Sequence, residues 1–201
     1  MYSKLFILNI VIIVFSSTVI LFTVEVSSAE PIRLVQNITP KEQVSISTVQ
    51  ENHGLPIRLN IPKINISADL EYVSLTPDGA MDVPKGHSNV AWFQLGPRPG
   101  EKGNSVINGH YGLWGNGARA VFNDLNKLQK GDKIYIEDET GNIVTFVVRE
   151  IKTYSKDEKV QDIFGPSDES HLNLITCEGN WSKAEKSYSD RLVVFSDKKT
   201  K

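Results

Sequence analysis

Cysteine is almost missing from this chain: Cys177 is the only one in 201 residues. A lone thiol closes no internal disulfide, so it is either a small buried hydrophobe or a reactive group. Cys-x-x-Cys and His-Glu-x-x-His patterns are absent as well, which removes the usual transition-metal and redox motifs. No cofactor is indicated. Neither sign of charge dominates; the formal net charge is -2, and Lys, Asp and Glu are interspersed without a basic stripe. Nucleic acid is therefore not indicated as a partner. The acidic run Glu137-Asp138-Glu139 lacks the spaced oxygen ligands of a calcium loop and reads as a solvated hairpin tip. There is no internal repeat and no low-complexity tract.

What is present first is an apolar run. Leu5 to Val24 is interrupted only by Asn9, Ser16, Ser17, Thr18 and Thr23, with Lys4 before it and Glu25 after. About 20 such residues suit a bilayer-spanning helix. The competing reading is a signal peptide cleaved near Ser27-Ser28-Ala29, although the run exceeds a usual signal core. Either reading exports the rest of the chain, and Lys4 favours a cytoplasmic N-terminus. In an oxidising exterior an unpaired thiol is a liability unless it is buried or useful.

The expected layout is a membrane anchor or signal peptide over 1–25, a linker or stalk over 26–56, and one folded domain over 57–197. The stalk is rich in Ser, Thr, Gln and Asn without a sustained period. His53 falls within it and reads as a solvated linker residue. From Ile57 onward, short alternating segments separated by turn signals predict strands. They include Ile57 to Ile61, Leu70 to Ser74, Val90 to Phe93, Ser105 to Ile107, Ile134 to Ile136, Ile143 to Val148, Leu172 to Cys177 and Leu192 to Phe195. Pro62 implies an edge or a bulge. Val121, Phe122, Leu125 and Leu128 predict a helix over Arg119 to Lys130, ended by Gly131, with a further single turn at Val160 to Phe164. About eight short strands and one or two short helices, without βαβ alternation, predict an all-β closed or sandwich-like fold.

A thiol of ordinary pKa needs a neighbouring His or cation to act as a nucleophile at neutral pH. Of four histidines, His171 would stand about 20 Å from Cys177 along an extended strand, and His53 is in the stalk. His87 and His110 remain. His110 follows a buried strand and opens a loop containing Gly109, Gly112, Gly115 and Gly117, which makes it the better candidate. Arg191 opens the apolar run Leu192 to Phe195, where its fixed charge can hold an oxyanion. A surface ion pair with Asp190 or another surface carboxylate is the plainer alternative. On spacing alone, a buried structural cysteine stands level with the Cys177, His110, Arg191 site.

Asn108-Gly109-His110, Leu174-Ile175-Thr176-Cys177 and Asp190-Arg191-Leu192-Val193-Val194 resemble, in order, the three signature segments of the sortases, cysteine transpeptidases of bacterial cell surfaces. The resemblance runs from Leu59-Asn60-Ile61-Pro62 to Phe195. The N-terminal layout is similar too, and the subclass pattern is nearest to classes D, E and F. One departure is Asn173, where the family often has Thr.

The resemblance implies a closed eight-stranded β-barrel with Cys177 as nucleophile, His110 as general acid and base, and Arg191 stabilising substrate or oxyanion. Thr176 and Trp181 are the candidate substrate contacts, Trp181 equally being an ordinary loop aromatic. The implied partners are proteins carrying a C-terminal LPXTG-like sorting motif and an amine acceptor, either a cell-wall precursor or a pilin lysine. The implied location is the outer face of the cell membrane, or the exterior if the leader is cleaved. Two rivals are an exported Cys-His peptidase of another fold and a non-catalytic surface-binding module.

Overall fold

The computed structural model describes residues 53–115 and 117–200. The apolar run over 1–25 and most of the expected stalk lie outside them. Among the described residues no helix is long and apolar enough to cross a membrane.

Eight strands form one closed barrel: β1 (Pro56–Ile61), β2 (Ile66–Val73), β3 (Val90–Phe93), β4 (Gly103–Gly109), β5 (Lys133–Asp138), β6 (Ile143–Ser155), β7 (Ser170–Ser182) and β8 (Ser187–Lys198). Their order around the wall is β1-β2-β3-β4-β7-β8-β6-β5, with β5 pairing back onto β1. Most neighbours are antiparallel; β2 with β3 and β4 with β7 are parallel. The closed all-β expectation is met, and closure leaves no long unpaired edge.

The core follows from strand alternation. Leu59 and Ile61 on β1, Ile134 and Ile136 on β5, and Leu172 and Leu174 on β7 all point into the barrel. Phe122, Leu125 and Leu128 join the same core from the β4–β5 connection. A second apolar cluster lies on the outer face of β4, β7 and β8, where Val106, Val193 and Phe195 meet Ile163 of α1 (Gln161–Phe164). The single turn expected at Val160 to Phe164 is this α1.

The helix expected over Arg119 to Lys130 does not form; only Leu125–Lys127 makes a 3-10 turn. The apolar spacing was real, since Phe122, Leu125 and Leu128 are buried. However, the N–H groups of Ala120, Val121 and Phe122 are bonded to the carbonyls of Gly112, His87 and His110. The bonds that follow run from Asn123 to Ala120, from Leu125 to Phe122 and from Lys127 to Asp124, each three residues back, so tertiary partners claim the first N–H groups and the rest of the segment settles into turns.

Two further expectations change. His53 is buried, with its carbonyl accepting from Arg98 at 2.8 Å and its Nε2 3.3 Å from Lys198 Nζ. It is part of the folded unit rather than solvated. At the β5–β6 hairpin, Asp138 is also buried and accepts from Gly54 N at 3.0 Å, Thr140 N at 2.9 Å, Thr140 Oγ1 at 2.6 Å and Asn142 N at 2.9 Å. Burial raises its pKa, but these bonds outweigh it and hold the carboxyl well below the usual range. The hairpin tip is built on a buried carboxylate.

Candidate active site

Alternation along β7 turns Leu172, Leu174 and Thr176 inward and leaves Ile175 and Cys177 partly exposed on the other face. Thr176 is buried, and its Oγ1 donates to the Gly109 carbonyl at 2.8 Å. That bond ties β7 to the end of β4, one residue before His110. The Thr176 side chain thus stands behind the groove wall and does not line the cavity. Cys177 is half-buried. Burial pushes its thiol pKa up, and the nearby Arg191 charge pulls it partly back. Burial thus disfavours the thiolate, and a nearby proton acceptor would assist attack.

His110 follows directly on β4. Its Nε2 lies 2.8 Å from the Pro84 carbonyl oxygen. Trp114 packs edge-on against its ring with centroids 4.9 Å apart, and His87 lies against the same indole at 5.5 Å. His87, the other sequence candidate, packs on Trp114 but does not line the cavity that holds Cys177. His171 is bonded to Asp197 through Nδ1 at 2.8 Å, which agrees with its exclusion as a thiol partner. Among the described residues no hydrogen bond joins His110 to Cys177; the two share one cavity.

Arg191 is the cross-strand partner of Cys177 in the β7–β8 pair. Its Nη1 donates to the carbonyls of Asp190 at 2.8 Å and Tyr188 at 3.1 Å, and its Nη2 to Ser187 Oγ at 3.3 Å. Among the described residues Arg191 makes no ion pair with Asp190, whose Oδ2 accepts from Ser189 Oγ at 2.7 Å. Between Glu178 and Trp181 the register slips. Gly179 sits in this bulge at φ +84°, and a Cβ there would run into Asp190 and Ser189. The slip redirects the strand just after Cys177.

The cavity these elements enclose has a volume of about 940 Å³. His110, Trp114 and Arg119 come from the loop after β4; Cys177, Trp181 and Tyr188 come from the β7–β8 hairpin. Trp181 stacks edge-on against Tyr188 at 5.0 Å and Tyr188 against Tyr111 at 5.2 Å, so Trp181 is part of an aromatic wall and not an isolated loop residue. Arg191 approaches Cys177 along the sheet and does not line this cavity. Trp114, Tyr111 and Tyr188 were not singled out from the sequence. The available signal was Trp114 four residues after His110 within the glycine-rich loop.

Residues 59–199 match the sortase domain model. The chain belongs to the sortase family. Solved sortase structures share the barrel. Sortase C1 of Streptococcus agalactiae, in complex with MTSET, is 25% identical, with a TM-score of 0.56 over 72% of this chain and 67% of that one. Sortase C of Clostridium perfringens SM101 is 22% identical, with a TM-score of 0.53 over 75% and 73%. Sortase A of Corynebacterium diphtheriae is 21% identical, with a TM-score of 0.56 over 76% and 64%. No curated protein gives a significant match.

As a sortase, the chain is a cysteine transpeptidase, of a family acting on sorting-signal proteins and amine acceptors. The sortase barrel excludes the rival peptidase of another fold. Asn173, the departure from the family pattern, has a structural use: its Nδ2 donates to the Ile163 carbonyl at 2.9 Å and to Asn104 Oδ1 at 3.1 Å, fastening α1 to the barrel.

Proposed function

We propose that Cys177 is the nucleophile of this transpeptidase, His110 its proton carrier, and Arg191 the group that stabilises the thiolate and the developing oxyanion. The observation that carries this is the placement of a half-buried thiol and His110 in one aromatic-walled cavity, with a fixed guanidinium on the adjoining strand. His110 takes the Sγ proton as sulfur attacks the scissile carbonyl carbon, and the tetrahedral oxyanion collapses with cleavage of the C–N bond. The protonated imidazole returns that proton to the departing amine. An acceptor amine then attacks the thioester, His110 takes the proton the amine gives up, and sulfur leaves as thiolate, which the imidazolium reprotonates. Arg191 has donors beyond those bonded to the hairpin, and its charge persists at every working pH.

The substrates in this reading are exported proteins bearing a C-terminal LPXTG-like sorting motif. The acceptor is a cell-wall amine or a pilin lysine, and Trp181 contacts the bound chain. The site works outside the cytoplasmic membrane, with residues 1–25 as anchor and a stalk from residue 26 that ends before His53, where the folded unit has begun. No cofactor enters this chemistry.

A fluorogenic LPXTG-type peptide, offered with and without an amine acceptor, tests the reading. Expected is cleavage that shifts to amide product when amine is added and is abolished in Cys177→Ala. Activity that survives Cys177→Ala, or is indifferent to both His110→Ala and Arg191→Ala, refutes the assignment.

A further inference from the structure

The His110 Nε2 contact fixes more than a ring position. A carbonyl oxygen only accepts, so at 2.8 Å from Pro84 O the Nε2 atom must carry hydrogen. The neutral ring then has its lone pair on Nδ1. The peptide group that accepts this bond continues through Lys85 N–H, which donates to Glu71 Oε2 at 3.0 Å. The other oxygen of Glu71 accepts from Asn89 Nδ2 at 3.0 Å.

We propose that Glu71 is a positioning residue for His110, acting through the Pro84–Lys85 peptide group as a carboxylate–peptide–imidazole relay that holds the ring as its Nε2–H tautomer. This deepens the reading of His110 as proton carrier and rests on it. Donation from Lys85 N–H to an anion draws electron density onto the Pro84 oxygen, and chained hydrogen bonds strengthen one another in this way. The carbonyl so polarised is a better acceptor for Nε2–H, most of all when the ring becomes an imidazolium during the reaction. The proton taken from Cys177 then enters at Nδ1.

The geometry around the relay is firm. Glu71 belongs to β2, and Pro84 is buried. The loop that carries the peptide is tied by Asp82 N to the Ser74 carbonyl at 2.9 Å, by Asn108 Nδ2 to the Asp82 carbonyl at 2.8 Å, and by Val121 N to the His87 carbonyl at 2.8 Å. Trp114 closes on His110 from the side. Among the described residues no carboxylate bonds His110 directly, whereas His171 has Asp197. Glu71 is held ionised chiefly by the Lys85 N–H bond, with burial opposing and Asn89 assisting.

The test uses the full chain with 15N-labelled histidine, His110 being assigned by loss of its signals in His110→Gln. Nitrogen shifts distinguish the two neutral tautomers. The wild type is expected to show one Nε2–H species. Glu71→Ala should give a mixture of tautomers. Glu71→Gln, which keeps the size and an acceptor oxygen, should retain Nε2–H with a weaker bond, seen as an upfield proton shift and faster exchange. On a fluorogenic LPXTG peptide, kcat should fall about tenfold in Glu71→Gln, with KM within about twofold, as for an interaction that strengthens in the transition state. An Nδ1–H ring in the wild type, or an unchanged Nε2–H signal in both Glu71 variants, overturns the relay. If the tautomer data come out as expected while the wild type cleaves no sorting peptide, the relay stands and the transpeptidase reading of this site fails.

Discussion

Cys177 and Arg191 face each other across the antiparallel β7–β8 pair, so a cation fixed by backbone carbonyls lies beside a thiol whose burial opposes ionisation. Strand register sets this relation, and neither side chain bonds the other. The opposition of the two effects makes the thiol's reactivity sensitive to the guanidinium.

The first expectation concerns thiol titration. Alkylation of Cys177 should rise with pH to a midpoint above that of an ordinary thiol, because burial raises the pKa more than Arg191 lowers it. Arg191→Ala should move the midpoint higher and slow alkylation at neutral pH several-fold, about tenfold for each pH unit the midpoint moves. A midpoint that falls in Arg191→Ala contradicts this. Measuring iodoacetamide rates from pH 6 to 10 decides it.

Gly179→Ala should damage both fold and activity. Its φ of +84° is unfavourable for alanine, and the new Cβ meets Asp190 and Ser189, whose hydroxyl also accepts from Asn180 N at 3.0 Å. Strain of about 1–3 kcal/mol is expected, seen in urea unfolding, with peptide cleavage reduced further as the bulge after Cys177 shifts. A variant of wild-type stability and activity would falsify this account of the bulge.

Asn173→Ala should loosen α1 selectively. It strips the donor from the Ile163 carbonyl and from Asn104 Oδ1 in a fully buried setting, at about 1–3 kcal/mol. Hydrogen exchange should accelerate at 161–165 while β7 remains protected. Uniform acceleration over the whole barrel would show a general destabilisation instead.

Asp138 carries a pH-dependent share of stability. Its folded pKa is depressed, so its contribution is fully present above the unfolded carboxylate value near 4 and is lost as pH falls below it through the folded value. Asp138→Asn should lower stability by about 2 kcal/mol at pH 7, because it replaces an anion that accepts from Gly54, Thr140 and Asn142. The gap between wild type and variant should narrow as pH drops below 4. Urea denaturation at several pH values measures it, and a gap independent of pH contradicts the assignment.

Strand content was legible because a half-buried strand writes its alternation into the chain, as in Leu59 and Ile61 or Ile134 and Ile136. The segment around Leu125 misled because burial at helical spacing does not require a helix when tertiary carbonyls claim its N–H groups. His53 and Asp138 misled in the other direction. Polar residues in polar surroundings read as solvated, and only distant partners, Arg98 and Lys198 for one and Gly54 for the other, bury them.

Composition and period were enough to establish a single thiol and an all-β alternation, and the three ordered segments around His110, Cys177 and Arg191 carried the resemblance to the sortases. These are local properties, readable along the chain. It took the folded barrel to show that Thr176 braces the wall behind the groove, that Trp114, Tyr188 and Trp181 line one cavity, and that Glu71 reaches His110 through one peptide group. The reason is physical. Each of these relations depends on register and loop closure between segments far apart in the chain, and neither is encoded at the residues they bring together.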